Sequence, residues 1–261
     1  MSKKKQDGYS APKTEEAPPR LMVGIPSRGP VHIAWAMMLQ TLQWPVGEAR
    51  ITKVAPGMEI ASARNNMVLA AQEAKVEYLF FIDDDVTIPS FAPRRMLFEM
   101  ETHPEWDMLT GVYCTKANPP EPLIFRDKPG AFWDWRLGET FPITGAGMGC
   151  SLIRMTAFDR FPDPWFRFHE LNDGVNSRSE GEDMYFCRRL REEGGTIMCD
   201  GAVICGHIDI KTGDLYRLWE DTPPVRNALP EFDGATGLVS PEGKMRIQAK
   251  EAPGLRDKAL D

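Results

Sequence analysis

The stretch that decides the fold is Glu77-Tyr78-Leu79-Phe80-Phe81-Ile82-Asp83-Asp84-Asp85-Val86-Thr87-Ile88-Pro89. The apolar run that precedes the aspartates is too short for a stand-alone helix and is typical of a strand buried on both faces. Because unpaired charges are costly to bury, the three carboxylates should lie where this strand ends at a crevice. In open α/β sheets, that edge is where ligands bind.

The spacing of the aspartates favours a metal site over a plain turn. Asp83 and Asp85 are two residues apart, so in an extended segment they point to the same side. Two hard oxygen ligands suit Mg²⁺ or Mn²⁺ carrying a phosphate. The alternative is a turn or a helix N-cap, since aspartate favours both. The buried strand before the triplet and Pro89 after it favour the metal site.

The composition of the 261 residues is that of a globular protein, with 42% hydrophobic and 26% charged residues. A net charge of -7 argues against a general nucleic-acid binder, which needs a basic face. Five cysteines without paired spacing are typical of reduced thiols in a cytosolic protein.

The sequence predicts neither a membrane span nor a secretory signal peptide. No apolar run approaches the ~20 residues of a membrane span, and the basic N-terminus lacks the apolar segment of a signal peptide. We therefore expect a soluble, cytoplasmic protein with no signal peptide and no transmembrane segment. Residues 1–19 have almost nothing to bury and are predicted to form a disordered tail.

The first half of the chain alternates between predicted strands and helices. Strands are predicted over residues 21–26, 50–54, 78–82 and 108–113, and helices over 31–42, 60–74 and 91–101. This alternation predicts a doubly wound, mostly parallel sheet. Arg64 and Asn65, near the start of the second helix, are expected to point into the same crevice as the aspartates.

Residues 116–142 are rich in proline and aromatic residues and are predicted to form a long loop or hairpin, which in compact domains is commonly functional. Trp133 and Trp135 are candidates to stack on an acceptor, or alternatively anchor the loop. In the glycine-rich segment that follows, Gly145 and Gly147 would let a substrate approach the backbone. Residues 162–166 are predicted to form a turn with exposed aromatic residues.

A second acidic constellation, Glu180-Gly181-Glu182-Asp183, begins a predicted helix. Acidic residues in a first turn are favoured by the helix dipole alone. A carboxylate such as Asp183, aimed into a cleft from a helix start, is also suited to act as a general base.

Two short strands are then predicted, over 196–199 and 202–205. His207 follows the second strand and is a candidate metal or phosphate ligand. Residues 215–219 are predicted to form one helical turn or a lid.

Four landmarks in this order resemble the GT-A glycosyltransferases, closest to the family 2-like group. They are Phe80-Phe81-Ile82-Asp83-Asp84-Asp85, Thr144-Gly145-Ala146-Gly147, Gly181-Glu182-Asp183 with Phe186-Cys187-x-Arg189-Leu190, and Ala202 with His207. The resemblance covers residues 21–209. It implies an α/β, Rossmann-like GT-A fold in a single domain over residues 20–210, with 211–261 as a C-terminal extension, lid or tail.

The resemblance also implies a reaction, transfer of a sugar from a nucleoside-diphosphate sugar to an acceptor hydroxyl with Mn²⁺ or Mg²⁺. It implies inverting chemistry with Asp183 as the catalytic base and Glu182 beside it. Asp85 and His207 match the family's metal ligands. The donor-binding positions that match are Pro26, Ser27, Arg28, Arg64, Asp83 and Asp84.

Two departures from the family pattern limit what the resemblance implies. Residues 167–178 are inserted before the acidic motif, and no Gln-x-x-Arg-Trp motif follows it, which argues against processive polysaccharide synthesis. A retaining transferase, a nucleotidyltransferase and a non-catalytic nucleotide-sugar-binding protein remain alternatives. The acceptor (a saccharide, a small molecule or a modified macromolecule) and the oligomeric state are left open.

Overall fold

The structure is a computed structural model that describes residues 19–128, 130–172 and 177–218. The described residues form four α-helices: α1 (Ile33–Thr41), α2 (Ile60–Glu73), α3 (Ala92–Thr102) and α4 (Glu182–Glu192). They form fourteen strands: β1 (Leu21–Ser27), β2 (Arg50–Pro56), β3 (Tyr78–Ile82), β4 (Val86–Thr87), β5 (Met108–Val112), β6 (Ile124–Phe125), β7 (Thr140–Pro142), β8 (Gly145–Ala146), β9 (Cys150–Arg154), β10 (His169–Asn172), β11 (Ser177–Glu180), β12 (Ile197–Ile204), β13 (Gly206–Ile208) and β14 (Leu215–Arg217). A 3₁₀-helix spans Met155–Asp159.

Seven strands form the central sheet, in the order β2-β1-β3-β9-β5-β12-β7. Strands β2, β1, β3, β5 and β12 run in one direction, while β9 and the edge strand β7 run against them. The predicted α/β class with a mostly parallel central sheet is therefore confirmed. A strand after the glycine-rich segment was predicted, but not its direction: β9 runs against β3 and β5 and pairs with both in the middle of the sheet.

Strand β3 separates two hydrophobic cores. Leu79 and Phe81 point into one cluster of buried side chains, whereas Tyr78, Phe80 and Ile82 point into the other. This division follows from the alternation of side chains along a strand. Since all five residues are at most 2% exposed, the strand has no face on which to carry charge. The aspartates therefore follow it at the edge of the sheet.

Strand β12 corrects the prediction of two short strands over 196–199 and 202–205. It is one strand of eight residues with an irregularity after Asp200. The Asp200 side chain is completely buried, and its Oδ2 lies 2.5 Å from Nε of Arg95 on α3. A buried carboxylate is tolerated when it is paired. The strand therefore continues through Asp200, although this polar residue indicated that the strand would end there.

Two further predictions are wrong. Trp165 and Phe166, predicted to be exposed, are at most 5% exposed. The indole nitrogen of Trp165 donates to the carbonyl of Phe158 at 2.8 Å, and the Phe166 ring stacks on Phe186 at 4.7 Å. Residues 215–219 were predicted to form one helical turn or a lid; their described part contains strand β14, paired with β13, so the helical turn is wrong.

The remaining predictions concern the ends of the chain and the insertion. Residues 1–18 and 219–261 lie outside the described residues, as do 173–176 inside the insertion. The described part of the insertion contributes β10 and β11, which pair as an antiparallel hairpin. Within the described ranges, no helix has the length and apolar character needed to cross a membrane.

Candidate active site

A cleft of about 340 Å³ lies at the edge of the sheet where β1 and β3 end. Small-molecule sites commonly have volumes of about 300–1,000 Å³. The cleft brings together all of the predicted donor, metal and catalytic residues: Pro26, Ser27, Arg28, Arg64, Asp83, Asp84, Asp85, Glu182, Asp183 and His207. These residues come from five separate segments of the chain.

Arg64 joins the two acidic motifs inside the protein. Glu59 caps α2 by accepting from the N–H groups of Ala61 and Ser62 at 2.8 and 2.9 Å, which places Arg64 in the second turn of the helix. Arg64 Nη2 lies 3.0 Å from Asp83 Oδ2, and Arg64 Nε lies 3.3 Å from Glu182 Oε1. Burial alone would lower the pKa of this guanidinium, but the charges of the two carboxylates raise it. Arg64 thus holds the end of β3 against the start of α4.

Two polar atoms of this network have no hydrogen-bond partner among the described residues. They are Arg64 Nη1 and Asp83 Oδ1, and both are buried. Their residues line the cleft. Buried polar groups in folded proteins are nearly always paired, so a donor and an acceptor remain available there for the polar groups of a bound molecule.

Asp84 shapes the wall of the cleft formed by the loop after β1. Its Oδ2 accepts from the backbone N–H of Arg28 at 2.9 Å, and the residue is 5% exposed. Ser27 Oγ accepts from the N–H of Gly29 at 3.2 Å in the same loop. The middle aspartate of the triplet therefore positions the backbone of the loop that the resemblance assigns to the nucleotide.

Asp85 lies between two basic side chains. Its Oδ2 is 2.6 Å from Lys116 Nζ and 3.5 Å from His207 Nε2. Burial raises the pKa of the Asp85 carboxyl, but hydrogen bonds and charge from His207 and Lys116 outweigh this effect and lower it to about 2. Asp85 is therefore ionised at any pH at which the protein would work.

The side chains around Asp85 fit a divalent cation that is shared with a phosphate. His207 Nδ1 lies 2.7 Å from the backbone carbonyl of Cys114. Because a carbonyl only accepts, Nδ1 carries the proton, which leaves Nε2 as the ring nitrogen that can bind a metal ion once it gives up its proton. The described residues contain no cluster of three or more metal-ligating side chains. Mg²⁺ is commonly held by one or two carboxylates together with substrate phosphates, and this smaller set suffices for that mode.

Asp183 is the cleft carboxylate whose pKa shifts upwards. It lies in the first turn of α4, and its Oδ1 accepts from the N–H of Met184 at 2.7 Å. Burial and the neighbouring charge of Glu182 raise the pKa to about 6, despite the opposing effects of that N–H and of Arg64. A carboxyl group that titrates near neutrality is suited to take up a proton during a reaction.

The predicted acceptor residues do not line this cleft, and their role in binding an acceptor stays a prediction. Of the residues that the structure describes, the cleft lining does not include Trp133, Trp135, Gly145 or Gly147. Trp135 is 4% exposed and stacks on Phe141, and Trp133 packs against the same core. A Cβ on Gly147 would lie 1.8 Å from the hydroxyl oxygen of Tyr113, so this glycine makes room for that side chain.

The sequence prediction missed several residues around the cleft, among them Tyr113, Phe168 and Lys116. Tyr113 follows β5 and lines the cleft, and the charges of Asp83 and Asp183 add to burial in raising its pKa. Its position after a parallel strand was a usable signal. Phe168 is 54% exposed and also lines the cleft. Lys116, the first residue of the 116–142 excursion, carried no signal because its contact with Asp85 depends on the tertiary fold.

Comparisons with known proteins address the fold. No protein-family model matches the sequence, and no curated protein matches it. Among solved structures, A197 from STIV is similar over 77% of this chain and 94% of its own, with a TM-score of 0.54 and 18% identity. GalNAc-T7, solved with UDP, GalNAc and Mn²⁺, is similar over 75% of this chain and 45% of its own, with a TM-score of 0.49 and 11% identity.

These likenesses concern architecture. At 18% identity, the likeness to A197 shows a shared fold and nothing about activity. The likeness to GalNAc-T7 is too low in TM-score to carry an argument. Together with the sheet order, the first supports a GT-A-like α/β fold in a single domain.

Proposed function

We propose that this protein is a glycosyltransferase that moves a sugar from a nucleoside-diphosphate sugar to an acceptor hydroxyl. The proposal rests on one observation: two acidic sites lie in the same cleft, and a carboxyl group in each has its pKa shifted in the opposite direction. Asp85 has a pKa lowered to about 2, whereas Asp183 has a pKa raised to about 6. Carboxylates whose environments separate their pKa values are typical of sites that divide charge binding from proton transfer.

Asp183 would act as the general base. An acceptor hydroxyl must lose its proton as its oxygen attacks the anomeric carbon, and a base titrating near neutrality is ionised while still basic enough to accept that proton. The proton would move to an Asp183 carboxylate oxygen as the sugar–diphosphate bond breaks. One displacement of this kind inverts the configuration of the sugar.

The donor side of the cleft would hold the nucleotide and the departing diphosphate. The loop after β1, which Asp84 holds in place, would contact the donor through its backbone and through the Arg28 side chain, beside the end of β3. Arg64 Nη1 offers a buried donor, and Asp83 Oδ1 offers an acceptor. Asp85 and His207 would hold Mn²⁺ or Mg²⁺, which would neutralise negative charge as it grows on the leaving diphosphate.

A ligand screen tests the proposal before the donor is known. Thermal melting is measured with UDP, GDP, ADP and CMP, each with and without Mn²⁺, and the nucleotide that stabilises the protein is followed up with its sugar conjugates. Binding to the folded state raises the melting temperature by mass action, and we expect one nucleoside diphosphate with Mn²⁺ to do so. Transfer or slow hydrolysis of the conjugate would support the proposal.

Other outcomes of the screen would point to the alternatives. Release of pyrophosphate from a nucleoside triphosphate would indicate a nucleotidyltransferase. If a nucleotide sugar binds but is not turned over, whichever acceptor is added, the protein would be a binding protein. Failure of every nucleotide and of Mn²⁺ to bind would contradict the proposal.

A further inference from the structure

Lys116 is a cation already positioned at the carboxylate assigned to the metal. Its Nζ lies 2.6 Å from Asp85 Oδ2, and the side chains of Lys116 and Asp85 are 27% and 15% exposed. The same oxygen faces His207 Nε2 at 3.5 Å. The ammonium group therefore lies beside the atoms that would bind a divalent cation.

The backbone holds Lys116 in this place. Cys114 and Pro122 form an antiparallel bridge, and the Thr115 N–H donates to the carbonyl of Glu121 at 2.8 Å. The N–H of Glu121 donates in turn to Thr115 Oγ1 at 3.0 Å. These bonds close a turn that presents Lys116 towards the end of β3. The Cys114 carbonyl that orients His207 belongs to the same segment, so one piece of chain positions both basic groups.

We propose that Lys116 is an internal counter-ion that competes with the divalent cation for Asp85. A lysine ammonium is a compact charge on a flexible stem, so it can neutralise Asp85 in the empty site and swing away when a metal ion binds. An ion between Asp85 and His207 would share Asp85 Oδ2 with the ammonium, which lies 2.6 Å from that oxygen. Two like charges this close repel each other, so entry of the ion displaces Lys116.

This competition, which rests on the proposed function for its role in catalysis, has a consequence for ligand binding. A free metal ion must break the Lys116–Asp85 pair, so it binds more weakly than the ligands alone would allow. An ion that arrives with a nucleoside diphosphate brings negative charge that the displaced ammonium can pair with. The site would therefore favour the metal–diphosphate complex over the bare ion and stay closed to adventitious cations.

The test measures Mn²⁺ binding to the full chain without any nucleotide, by the loss of the electron paramagnetic resonance signal of free Mn²⁺. In Lys116→Gln we expect the dissociation constant to fall by up to about fivefold relative to the unchanged protein, which is the upper end of what removing one partly exposed ion pair contributes. Lys128→Gln is the matched control, because it removes the same charge from an exposed position of the same excursion. Lys128→Gln should leave the dissociation constant for Mn²⁺ within about twofold of that of the unchanged protein.

Further variants separate competition from general electrostatics. Lys116→Arg keeps a cation at the site and should bind Mn²⁺ as weakly as the unchanged protein. Lys116→Met also removes the charge and should show the same gain as Lys116→Gln, which covers the case that Lys116→Gln fails to fold. His207→Ala added to Lys116→Gln should abolish the gain, because it removes the second ligand. Binding by Lys116→Gln that is unchanged, weaker or absent, or an equal gain in Lys128→Gln, would overturn the inference.

The result can be told apart from failure of the proposed function. If Lys116→Gln gains affinity but no nucleotide sugar is turned over, competition at Asp85 stands and glycosyl transfer fails. If turnover occurs and the affinity for Mn²⁺ does not respond to Lys116→Gln, the transferase proposal stands and the competition fails.

Discussion

The pKa of Asp183 sets the expected pH dependence of the reaction. A general base works in its ionised form, and burial together with the charge of Glu182 raises the pKa of Asp183 to about 6. We therefore expect kcat/KM to fall about tenfold per pH unit below about pH 6 and to level off above it. A pH profile measured with saturating Mn²⁺ checks this. A flat profile between pH 5 and 8 would contradict the assignment of the base.

The same shift predicts an effect on stability. Because the folded-state pKa of Asp183 lies above its ordinary value of 3.8, the folded protein binds the proton more tightly than the unfolded chain does. Ionisation of Asp183 therefore destabilises the fold as pH rises from about 4 through about 6, and the loss is complete above that range. We expect Asp183→Asn to raise the free energy of unfolding at pH 8 by up to roughly 3 kcal/mol, and to change it little at pH 4. Urea denaturation at both pH values measures this, and equal effects at the two would contradict it.

Gly181 leaves room for the side chain of Asp183, the proposed base. A Cβ at this position would lie 2.8 Å from Asp183 Oδ1, while the backbone φ of -65° is open to any residue. In Gly181→Ala the Asp183 side chain must turn, which a flexible side chain does at little energetic cost. Displacement of a catalytic group by about 1 Å can lower rates by up to about a hundredfold, so we expect a tenfold to hundredfold fall in kcat. The melting temperature and donor affinity should stay nearly unchanged, and full activity would contradict the role of Asp183.

At the scale of elements, Arg64 is expected to fix α2, β3 and α4 against one another. Its side chain is 3% exposed and pairs with Asp83 and Glu182. Removing one partner of a buried ionic network leaves unpaired charge and typically costs about 3–5 kcal/mol. We expect Arg64→Met to destabilise the protein by this amount in urea denaturation, and Glu182→Gln added to it to recover part of the loss.

Arg20→Met provides the control for this change. Arg20 pairs with Glu77 at 2.8 Å, but its side chain is 39% exposed, and exposed ion pairs contribute about 0–1 kcal/mol. Equal losses for Arg64→Met and Arg20→Met would contradict the bridging role of Arg64.

The elements of the first half of the chain could be predicted because local pattern and tertiary environment agree there. Strand β3 matches the predicted residues 78–82, since an apolar run of this length is too short for a stand-alone helix and suits a strand buried on both faces. Helix α2 was predicted from its periodic small and apolar residues, and its predicted end differs from the observed one by a single residue.

The second half was harder to predict because distant partners decide it. Asp200 stays inside β12 only because Arg95, 105 residues earlier, pairs with it. Phe166 is buried because the Asn65 side chain satisfies its backbone, with the Asn65 Nδ2–Phe166 carbonyl distance at 2.7 Å. The sequence near Asp200 and near Phe166 does not reveal these distant partners. From local polarity alone, a strand break was predicted at the first and an exposed turn at the second.

At the scale of the whole molecule, the cleft is assembled by topology. Parallel strands β1 and β3 end at the same edge, which brings the loop after β1 to the aspartates. Reversal of β9 between β3 and β5 places Tyr113 and the Lys116 turn beside that edge. The resemblance predicted which side chains would meet there, whereas Lys116 and Phe168 needed the three-dimensional structure.

The proposed role of Asp183 is tested by comparing Asp183→Asn with Asp159→Asn, which makes the same change at an exposed position. The donor is the one that the screen identifies. Release of its nucleoside diphosphate and its binding affinity are both measured in the presence of Mn²⁺. We expect Asp183→Asn to lose turnover by a factor on the order of 10²–10⁴, with donor affinity within a few-fold, and Asp159→Asn to match the unchanged protein. Undiminished turnover in Asp183→Asn would contradict the account.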